Sequence, residues 1–142
     1  MKNIQEVMTS DVETCRPEDT VLEAAKKMKE YHIGSIPVTQ DRNLMGMITD
    51  RDIVVRCLAE GKTESANVSD VMSSNIITAE PDMDVQEAAR MMAEKQIRRL
   101  PIVENQQLAG IVALKDLAVD EGTDSQASFA LNEISERPEV HH

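Results

Sequence analysis

Hydrophobic and polar positions change their period along the chain, and each period predicts a different element. Apolar residues within 21–28 recur at i, i+3, i+4 and i+7, the spacing of one buried helical stripe. Asp19 or Thr20 can cap the start of that helix. The short segment 12–15 precedes it and predicts a strand, which Pro17 ends. The chain is therefore expected to begin with a strand followed by a helix.

A hairpin and a second helix are predicted next. The segments 35–39 and 44–49 read as strands, and the polar turn Asp41-Arg42-Asn43 separates them. Residues 50–59 carry a helical pattern that Gly61 ends. Together with the preceding strand and helix, these segments predict one β-α-β-β-α unit.

The same order of elements occurs twice, because the chain contains an internal repeat. Shifting the sequence by 64 residues aligns Val7–Ile53 with Val71–Leu117 without a gap, and 16 of the 47 aligned pairs are identical. Each predicted helix has one apolar face, so the two copies are expected to share one core. The predicted fold class is α/β (α+β), with two β-α-β-β-α repeats.

The repeat divides the chain into four predicted parts. These are a first repeat over 1–60, a polar linker over 61–67, a second repeat over 68–119 and an acidic C-terminal tail over 120–142. The tail carries six acidic residues and one arginine. Apolar residues at helical spacing within it predict a short helix.

Charge and composition narrow the functional classes. The chain has 15 Lys and Arg against 26 Asp and Glu, a net charge of −11, so it should repel nucleic acids. Its aromatic residues are Tyr31 and Phe129, too few to stack bases. Neither a signal-peptide pattern nor an apolar stretch of membrane-spanning length occurs. We therefore expect a cytoplasmic protein without nucleic-acid or membrane partners.

Cys15 and Cys57 lie far apart, without C-x-x-C spacing or a histidine pair beside them. This arrangement predicts neither a zinc site nor a disulfide, but two free, unreactive thiols in a reducing compartment. No phosphate-binding glycine loop, nucleophile elbow or zinc-protease motif occurs either. The sequence thus predicts no enzyme activity, no metal and no required cofactor.

One stretch of the first copy, residues 46–52, combines groups that can hold a nucleotide. Thr49 ends a predicted strand, and Asp52 lies in the first turn of the next helix, where unpaired N–H groups favour an anion. The Thr49 hydroxyl can donate to a phosphate, and the Asp52 carboxylate can accept both hydroxyls of a ribose diol. The alternative is that both residues only cap the helix, which would contribute about 1 kcal/mol.

The repeated motifs resemble the CBS-domain family, named after cystathionine β-synthase. The resemblance rests on VMTSDVETCRP with VMSSNIITAEP, on the EAA…M helices, on HIGSIPV with IRRLPIV, and on GMITDRD, which fits the family pattern G-h-h-T/S-x-x-D. It covers about residues 4–119, and the tandem looks like a stand-alone CBS pair, or Bateman module. In that family a CBS pair forms a pseudo-twofold disc that binds adenosine-containing ligands in clefts between the copies. The resemblance implies the same architecture and ligand class here.

The resemblance also implies which residues line the first cleft. Asp52 would hold the ribose, and Arg98, with Arg99 as a second candidate, would reach the phosphate. Solvated surface charge is the alternative for the two arginines. The residues implied for this cleft are Met47, Thr49, Arg51, Asp52, Ile76, Ile77, Arg98, Arg99 and Pro101.

The second cleft departs from the family pattern. Ala113 stands where the motif has a hydroxyl, and Gly34 stands at the position that matches Arg98. The loss of two phosphate donors predicts weaker binding there. The residues implied for this weaker cleft are Val12, Glu13, Pro37, Ile111 and Asp116.

These observations favour a regulatory module that senses an adenosine-containing effector, such as AMP, ADP or ATP, and signals its occupancy to a protein partner. The alternative is a constitutive dimerisation or adaptor protein without a small-molecule ligand. A homodimer is also expected, because the apolar helix faces exceed what one thin unit can cover. Those faces contain Ala24, Ala25, Met28, Ala88, Ala89 and Met92, together with the helices after Asp52 and Asp116.

Overall fold

The structure is a computed structural model, and it describes residues 2–118. These residues form two separate groups that are in contact within themselves. One group is Glu13–Ile76, which we call the Thr49 unit. The other joins residues 2–12 to residues 77–118, and we call it the Ala113 unit. The short helix predicted for the tail lies outside the described residues.

The Thr49 unit contains a long helix, a hairpin and a second helix. These are α1 (Val21–Tyr31), β1 (Ser35–Gln40), β2 (Asn43–Thr49) and α2 (Asp50–Asp52), which continues as a π-helix over Ile53–Leu58. A 3-10 turn, Val68–Asp70, follows. The predicted helix and hairpin are therefore confirmed, and the predicted helix over 50–59 is present with a widened second half.

Helix α1 begins where its capping residue predicts. The Thr20 hydroxyl oxygen accepts a hydrogen bond from the Glu23 N–H at 3.1 Å, which satisfies one of the unpaired donors of the first turn. The apolar stripe of α1 packs into the core of the unit. The buried members of that core are Cys15, Val21, Ala24, Met28, Ile36, Val38, Ile48, Cys57, Val68 and Val71.

Strands β1 and β2 pair in antiparallel register, with Ser35 opposite Thr49 and Pro37 opposite Met47. Side chains alternate between the two faces of a strand, so Ile36 and its alternate neighbours enter the core. The other face carries Ser35, Pro37, Met47 and Thr49. Three predicted ligand residues therefore share the hairpin face that points away from the core of their own unit: Met47 and Thr49 of the first cleft and Pro37 of the second.

The Ala113 unit has the same order of elements. They are α3 (Val85–Lys95), β3 (Arg99–Glu104), β4 (Gln107–Ala113) and α4 (Leu114–Ala118), preceded by a 3-10 turn, Ile4–Glu6. The buried residues of its core are Ile4, Ala79, Val85, Ala88, Ala89, Met92, Leu100, Ile102, Val112, Leu114 and Leu117.

Each unit is completed by the leading segment of the other copy of the repeat. In the Thr49 unit, the Val21 N–H donates to the Ala66 carbonyl at 2.8 Å. In the Ala113 unit, the Ile4 N–H donates to the Met83 carbonyl at 2.8 Å. The segment 61–67, predicted as a linker, thus supplies backbone hydrogen-bond partners to α1. The boundaries of the two units therefore differ from the boundaries of the two sequence repeats.

Gly46 and Gly110 allow these leading segments to approach the hairpins. A Cβ on Gly46 would lie 2.5 Å from the Ser73 carbonyl oxygen, and a Cβ on Gly110 would lie 2.7 Å from the Thr9 carbonyl oxygen. Met47 and Ser73 exchange two backbone hydrogen bonds, each 2.9 Å long, at this contact. The glycine of each motif is therefore required by close backbone approach.

The first strand predicted in each copy, 12–15 and 76–79, is reduced to a single bridge. The Cys15 N–H donates to the Pro37 carbonyl at 3.0 Å, and the Cys15 carbonyl accepts from the Thr39 N–H at 2.8 Å. A proline two residues after each bridge lacks the N–H that a longer ladder needs. The proline therefore ends the pairing after each bridge, and the expectation of full strands before it was wrong, since only Cys15 and Ala79 pair there.

No helix among residues 2–118 is long and apolar enough to cross a membrane.

Candidate functional site

The junction between β2 and α2 joins the two motif residues on which the ligand hypothesis depends most. The Thr49 N–H donates to Asp52 Oδ2 at 3.0 Å, and the Asp52 N–H donates to Thr49 Oγ1 at 3.0 Å. These reciprocal bonds form a capping box. The capping role considered for both residues is therefore present in the structure.

Capping leaves hydrogen-bonding capacity on both side chains. The Thr49 hydroxyl accepts its bond through a lone pair and keeps its proton for donation. The Asp52 carboxylate uses Oδ2 in the cap, and its side chain stays 14% exposed. The cap thus fixes the orientation of both groups, while a hydroxyl proton and one carboxylate oxygen are left outside it.

Three further residues predicted for the first cleft belong to the same unit. Met47 is 8% exposed and lies two positions before Thr49 on the same strand face. Arg51 is exposed in the first turn of α2, where its N–H donates to Asp50 Oδ1 at 2.8 Å. Ile76 is half-buried and ends the unit.

The remaining residues predicted for the first cleft lie in the Ala113 unit. Arg98 is exposed just before β3, whereas Arg99 is half-buried within it, opposite Ala113. Pro101 is buried two positions later on the same face as Arg99, and Ile77 is half-buried. The predicted cleft thus draws on residues of both units, and its assembly stays a prediction.

The residues predicted for the second cleft are also divided between the units. Pro37 and Ile111 are buried, whereas Val12, Glu13 and Asp116 are half-buried. Within residues 2–118, no side-chain hydrogen bond orients the Asp116 carboxylate in the way that the cap orients Asp52.

The strand-to-helix corners of the two units share a backbone contact but differ in chemistry. The Asp50 N–H donates to the Gly34 carbonyl at 2.9 Å, and the matching Leu114 N–H donates to the Arg98 carbonyl at 2.8 Å. A Cβ on Gly34 would lie 3.0 Å from Asp50 Oδ2, so the small residue and the acid fit together. One corner therefore carries an acid and the other carries an arginine.

Arg56, which lies beside Asp52, was not predicted from the sequence. Arg56 Nη1 donates to the Met72 carbonyl and to Ser73 Oγ, both at 3.1 Å, and lies 4.0 Å from Asp52 Oδ1. The i, i+4 spacing of Asp52 and Arg56 is a recognised signal for an ion pair on a helix. The bonds to Met72 and Ser73 join positions 16 and 17 residues apart, for which the sequence carries no comparable signal.

Both cysteines are unpaired and buried, as expected for small hydrophobic residues. Burial raises the pKa of the Cys15 thiol, an effect that the nearby Lys27 ammonium partly offsets. Cys57 Sγ lies 3.7 Å from the Lys62 carbonyl oxygen and 3.5 Å from that of Thr63. Within the described part of the chain, no group of three or more His, Cys, Asp or Glu side chains is arranged to hold a metal ion.

Comparison with known proteins identifies the repeat. The family model described as "CBS domain" matches residues 4–58 and 68–119, one match for each copy. The chain belongs to the CBS-domain family. Family members of this kind, CBS-domain pairs, are regulatory modules.

One curated relative matches almost the whole chain. The chain is 44% identical over 135 residues to the CBS domain-containing protein YhcV of Bacillus subtilis (strain 168), covering 95% of this chain and 96% of the relative.

Two solved CBS structures show the same fold. Hypoxic Response Protein I, crystallised with two coordinated zinc ions, matches with 32% identity and a TM-score of 0.77, covering 84% of this chain and 98% of that one. The CBS-domain pair of protein MJ0100, in complex with 5′-methylthioadenosine and S-adenosyl-L-methionine, matches with 27% identity and a TM-score of 0.72, covering 82% and 97%. The predicted mixed α/β fold of a CBS pair is thereby confirmed.

Proposed function

We propose that this CBS pair is a regulatory module that binds an adenosine-containing effector through the Thr49–Asp52 corner and signals its occupancy to a protein partner. The observation that carries the proposal is the capping box. It orients a donor hydroxyl and a carboxylate side by side at the end of a strand, with bonds of 3.0 Å on both sides. That pair suits the phosphate and the ribose of a nucleotide.

The ligand class is supported by a related CBS pair. MJ0100 holds 5′-methylthioadenosine and S-adenosyl-L-methionine, which share adenine and ribose but carry no phosphate. The common element is thus the adenosine, for which an Asp52-type carboxylate is suited because it accepts ribose hydroxyls. We propose that the ribose of the effector is the main group this chain recognises and that its phosphates contribute additional contacts.

Phosphate recognition is assigned to the arginines of the Ala113 unit. Arg98 and Arg99 place two permanent positive charges at the start of β3, and guanidinium groups bind phosphate through paired N–H donors. We propose that Arg98, with Arg99 as a second candidate, contacts the phosphate of the nucleotide whose ribose Asp52 holds. The residues proposed to complete this cleft are Met47, Arg51, Ile76, Ile77 and Pro101.

The cleft that contains Asp116 is proposed to bind more weakly. Its corner has Ala113 in place of a hydroxyl donor and Leu114 in place of an acid. Gly34 stands where the other copy has Arg98. Val12, Glu13, Pro37 and Ile111 keep their proposed places beside the base in this second cleft.

A homodimer is also proposed, but the structure changes which apolar surface can form its interface. The helix faces first considered for dimerisation are largely internal: Ala24, Met28, Ala88, Ala89 and Met92 are buried in the cores of their own units, and Ala25 is half-buried. For the faces of α1 and α3 the expectation that they lack cover was wrong.

The π-helix Ile53–Leu58, which is the helix after Asp52 in that expectation, does present an exposed apolar surface. Val54, Val55 and Leu58 are 56%, 44% and 60% exposed. A dimer through this surface should show a light-scattering mass near twice 15.8 kDa, and Leu58→Glu should lower it. A mass near 15.8 kDa for the parent at micromolar concentration would remove the dimer proposal.

A second candidate function is a constitutive adaptor without a small-molecule ligand. Two observations favour it: the capping box already gives Thr49 and Asp52 a structural role, and the π-helix presents exposed apolar side chains. In that case the motif would contribute only about 1 kcal/mol of helix stability.

A thermal-unfolding screen separates the two candidates. The panel is AMP, ADP, ATP, NAD, S-adenosylmethionine and diadenosine polyphosphates, with Asp52→Asn as a control of nearly unchanged size. A ligand at 100 times its Kd should add about 2.7 kcal/mol to the stability of the parent, and the control should lose most of that gain. If no compound raises the unfolding temperature of the parent, the adaptor candidate replaces the ligand-binding one.

The cellular location is proposed to be the cytoplasm. Both thiols are unpaired and buried, which suits a reducing compartment where cysteines need no disulfide partner.

A further inference from the structure

Arg56 occupies a position between Asp52 and the segment that follows the linker. Its Nη1 donates to the Met72 carbonyl and to Ser73 Oγ, both at 3.1 Å, and lies 4.0 Å from Asp52 Oδ1. Its side chain is 45% exposed, so the guanidinium lies at the rim of the corner and not in the core.

This arrangement leaves Asp52 Oδ1 without a hydrogen bond from Arg56 Nη1. A guanidinium Nη carries two N–H groups, and the two bonds to Met72 and Ser73 use both of those on Nη1. The separation of 4.0 Å from Oδ1 is therefore an ion pair without a hydrogen bond from that nitrogen. Oδ2 accepts from the Thr49 N–H, whereas Oδ1 has a cation beside it and keeps its lone pairs.

We propose that Arg56 is a positioning residue that holds Asp52 Oδ1 ready to accept the two hydroxyls of a vicinal diol. The inference rests on the proposed function and deepens it, because it adds a residue, Arg56, on which the preference of this corner for the sugar's cis-diol depends. Arg56 acts through Asp52: its charge lies 4.0 Å from Oδ1, and its two bonded hydrogens are directed to Met72 and Ser73, away from the oxygen that the diol needs.

The same arginine also links the corner to a neighbouring strand contact. Ser73, whose hydroxyl accepts from Arg56, exchanges two backbone hydrogen bonds of 2.9 Å with Met47. Met47 lies two positions before Thr49 on one strand face. Loss of Arg56 should therefore remove the cation beside Asp52 Oδ1 and the two bonds to Met72 and Ser73, while the cap bonds of 3.0 Å remain.

Calorimetry with matched ribose and 2′-deoxyribose ligands tests the inference. The probes are AMP with 2′-deoxy-AMP and ATP with 2′-deoxy-ATP, titrated into the full chain and into Arg56→Ala, Arg56→Lys and Lys62→Ala. Lys62 is the matched control, because its Nζ also reaches the backbone of the following segment, at the Asp70 carbonyl oxygen 3.4 Å away, without being paired with Asp52. Its side chain is similarly exposed, at 39%.

The parent should bind each ribonucleotide at least about tenfold more tightly than its 2′-deoxy analogue. Arg56→Ala should weaken the ribonucleotides about tenfold and the 2′-deoxy compounds less than about twofold, because the latter lack one of the hydroxyls that Oδ1 accepts. Arg56→Lys should recover part of the loss, and Lys62→Ala should change neither affinity.

Three results would overturn the inference, and they can be told apart. Equal losses for ribo and deoxy ligands in Arg56→Ala would show a general structural role. An effect of Lys62→Ala equal to that of Arg56→Ala would show that contacts to the segment 70–73 explain the loss of affinity without any action on Asp52. A parent that binds none of the four nucleotides would contradict nucleotide binding in the proposed function, and this inference with it.

Discussion

The strand-to-helix corners of the two units differ far more in side-chain chemistry than in backbone. Both corners place a helix N–H on the carbonyl of the residue before the first hairpin strand, at 2.9 and 2.8 Å. In the Thr49 unit the corner carries a hydroxyl and two acids, whereas the corner of the Ala113 unit has the apolar Ala113 and Leu114, one acid, Asp116, and the basic Arg98. One repeated backbone thus carries two corners that differ in charge and in hydrogen-bonding groups.

The glycines of the two hairpins should show the largest effect on stability. Gly46→Ala would bring a Cβ within 2.5 Å of the Ser73 carbonyl oxygen, and Gly110→Ala within 2.7 Å of that of Thr9. Overpacking of this kind costs about 1–3 kcal/mol, and the contact at Gly46 is the closer one. In urea unfolding, Gly46→Ala should therefore have a lower free energy of unfolding than Gly110→Ala, and both should have a lower one than the parent. Wild-type stability for either variant would contradict the close approach.

The first turns of α1 and α3 should respond differently to loss of the capping residue. The Thr20 hydroxyl oxygen accepts from the Glu23 N–H, whereas the Asp84 side chain makes no cap bond and its Oδ1 is buried without a partner. Thr20→Ala should cost about 1 kcal/mol of unfolding free energy.

Asp84→Ala should change the free energy of unfolding by less than half as much as Thr20→Ala. The lost attraction between carboxylate and helix dipole, about 0.3–1 kcal/mol, is offset by removal of an unpaired buried oxygen. Equal costs for Thr20→Ala and Asp84→Ala in urea unfolding would show that the two helix starts are equivalent after all.

The hairpin turns should show a small effect, and the same one in both units. Arg42 has φ 71° and Gln106 has φ 69°, and each follows another residue of positive φ. Glycine relieves left-handed strain but adds freedom to the unfolded chain, so Arg42→Gly and Gln106→Gly should each stabilise by about 0.5 kcal/mol. A clear difference between the two variants in urea unfolding would mean that the hairpins are less alike than their backbones.

Local signals predicted those parts of the fold that local forces determine. The i, i+3, i+4 stripes of α1 and α3, the Thr20 cap and the hairpins around polar turns all depend on residues close in sequence. The exchange of leading segments was not predictable, because the bond from Val21 to Ala66 joins residues 45 positions apart and follows no periodicity.

The candidate site was predictable to a similar extent. Thr49 and Asp52 follow from the motif, and their reciprocal bonds follow from their spacing of three residues. Arg56 was missed because its partners Met72 and Ser73 belong to the other copy of the repeat. Such a contact becomes visible only when the folded unit is known.

The central claim is that the two corners are not equivalent for ligand binding, and calorimetry with AMP on three proteins tests it most directly. The parent should show one tight site per chain. Asp52→Ala should weaken that site at least tenfold, since a charge-assisted hydrogen bond contributes about 1.5–3 kcal/mol, and Asp116→Ala should leave it within about twofold. Two equivalent sites in the parent, or equal losses from Asp52→Ala and Asp116→Ala, would contradict the account.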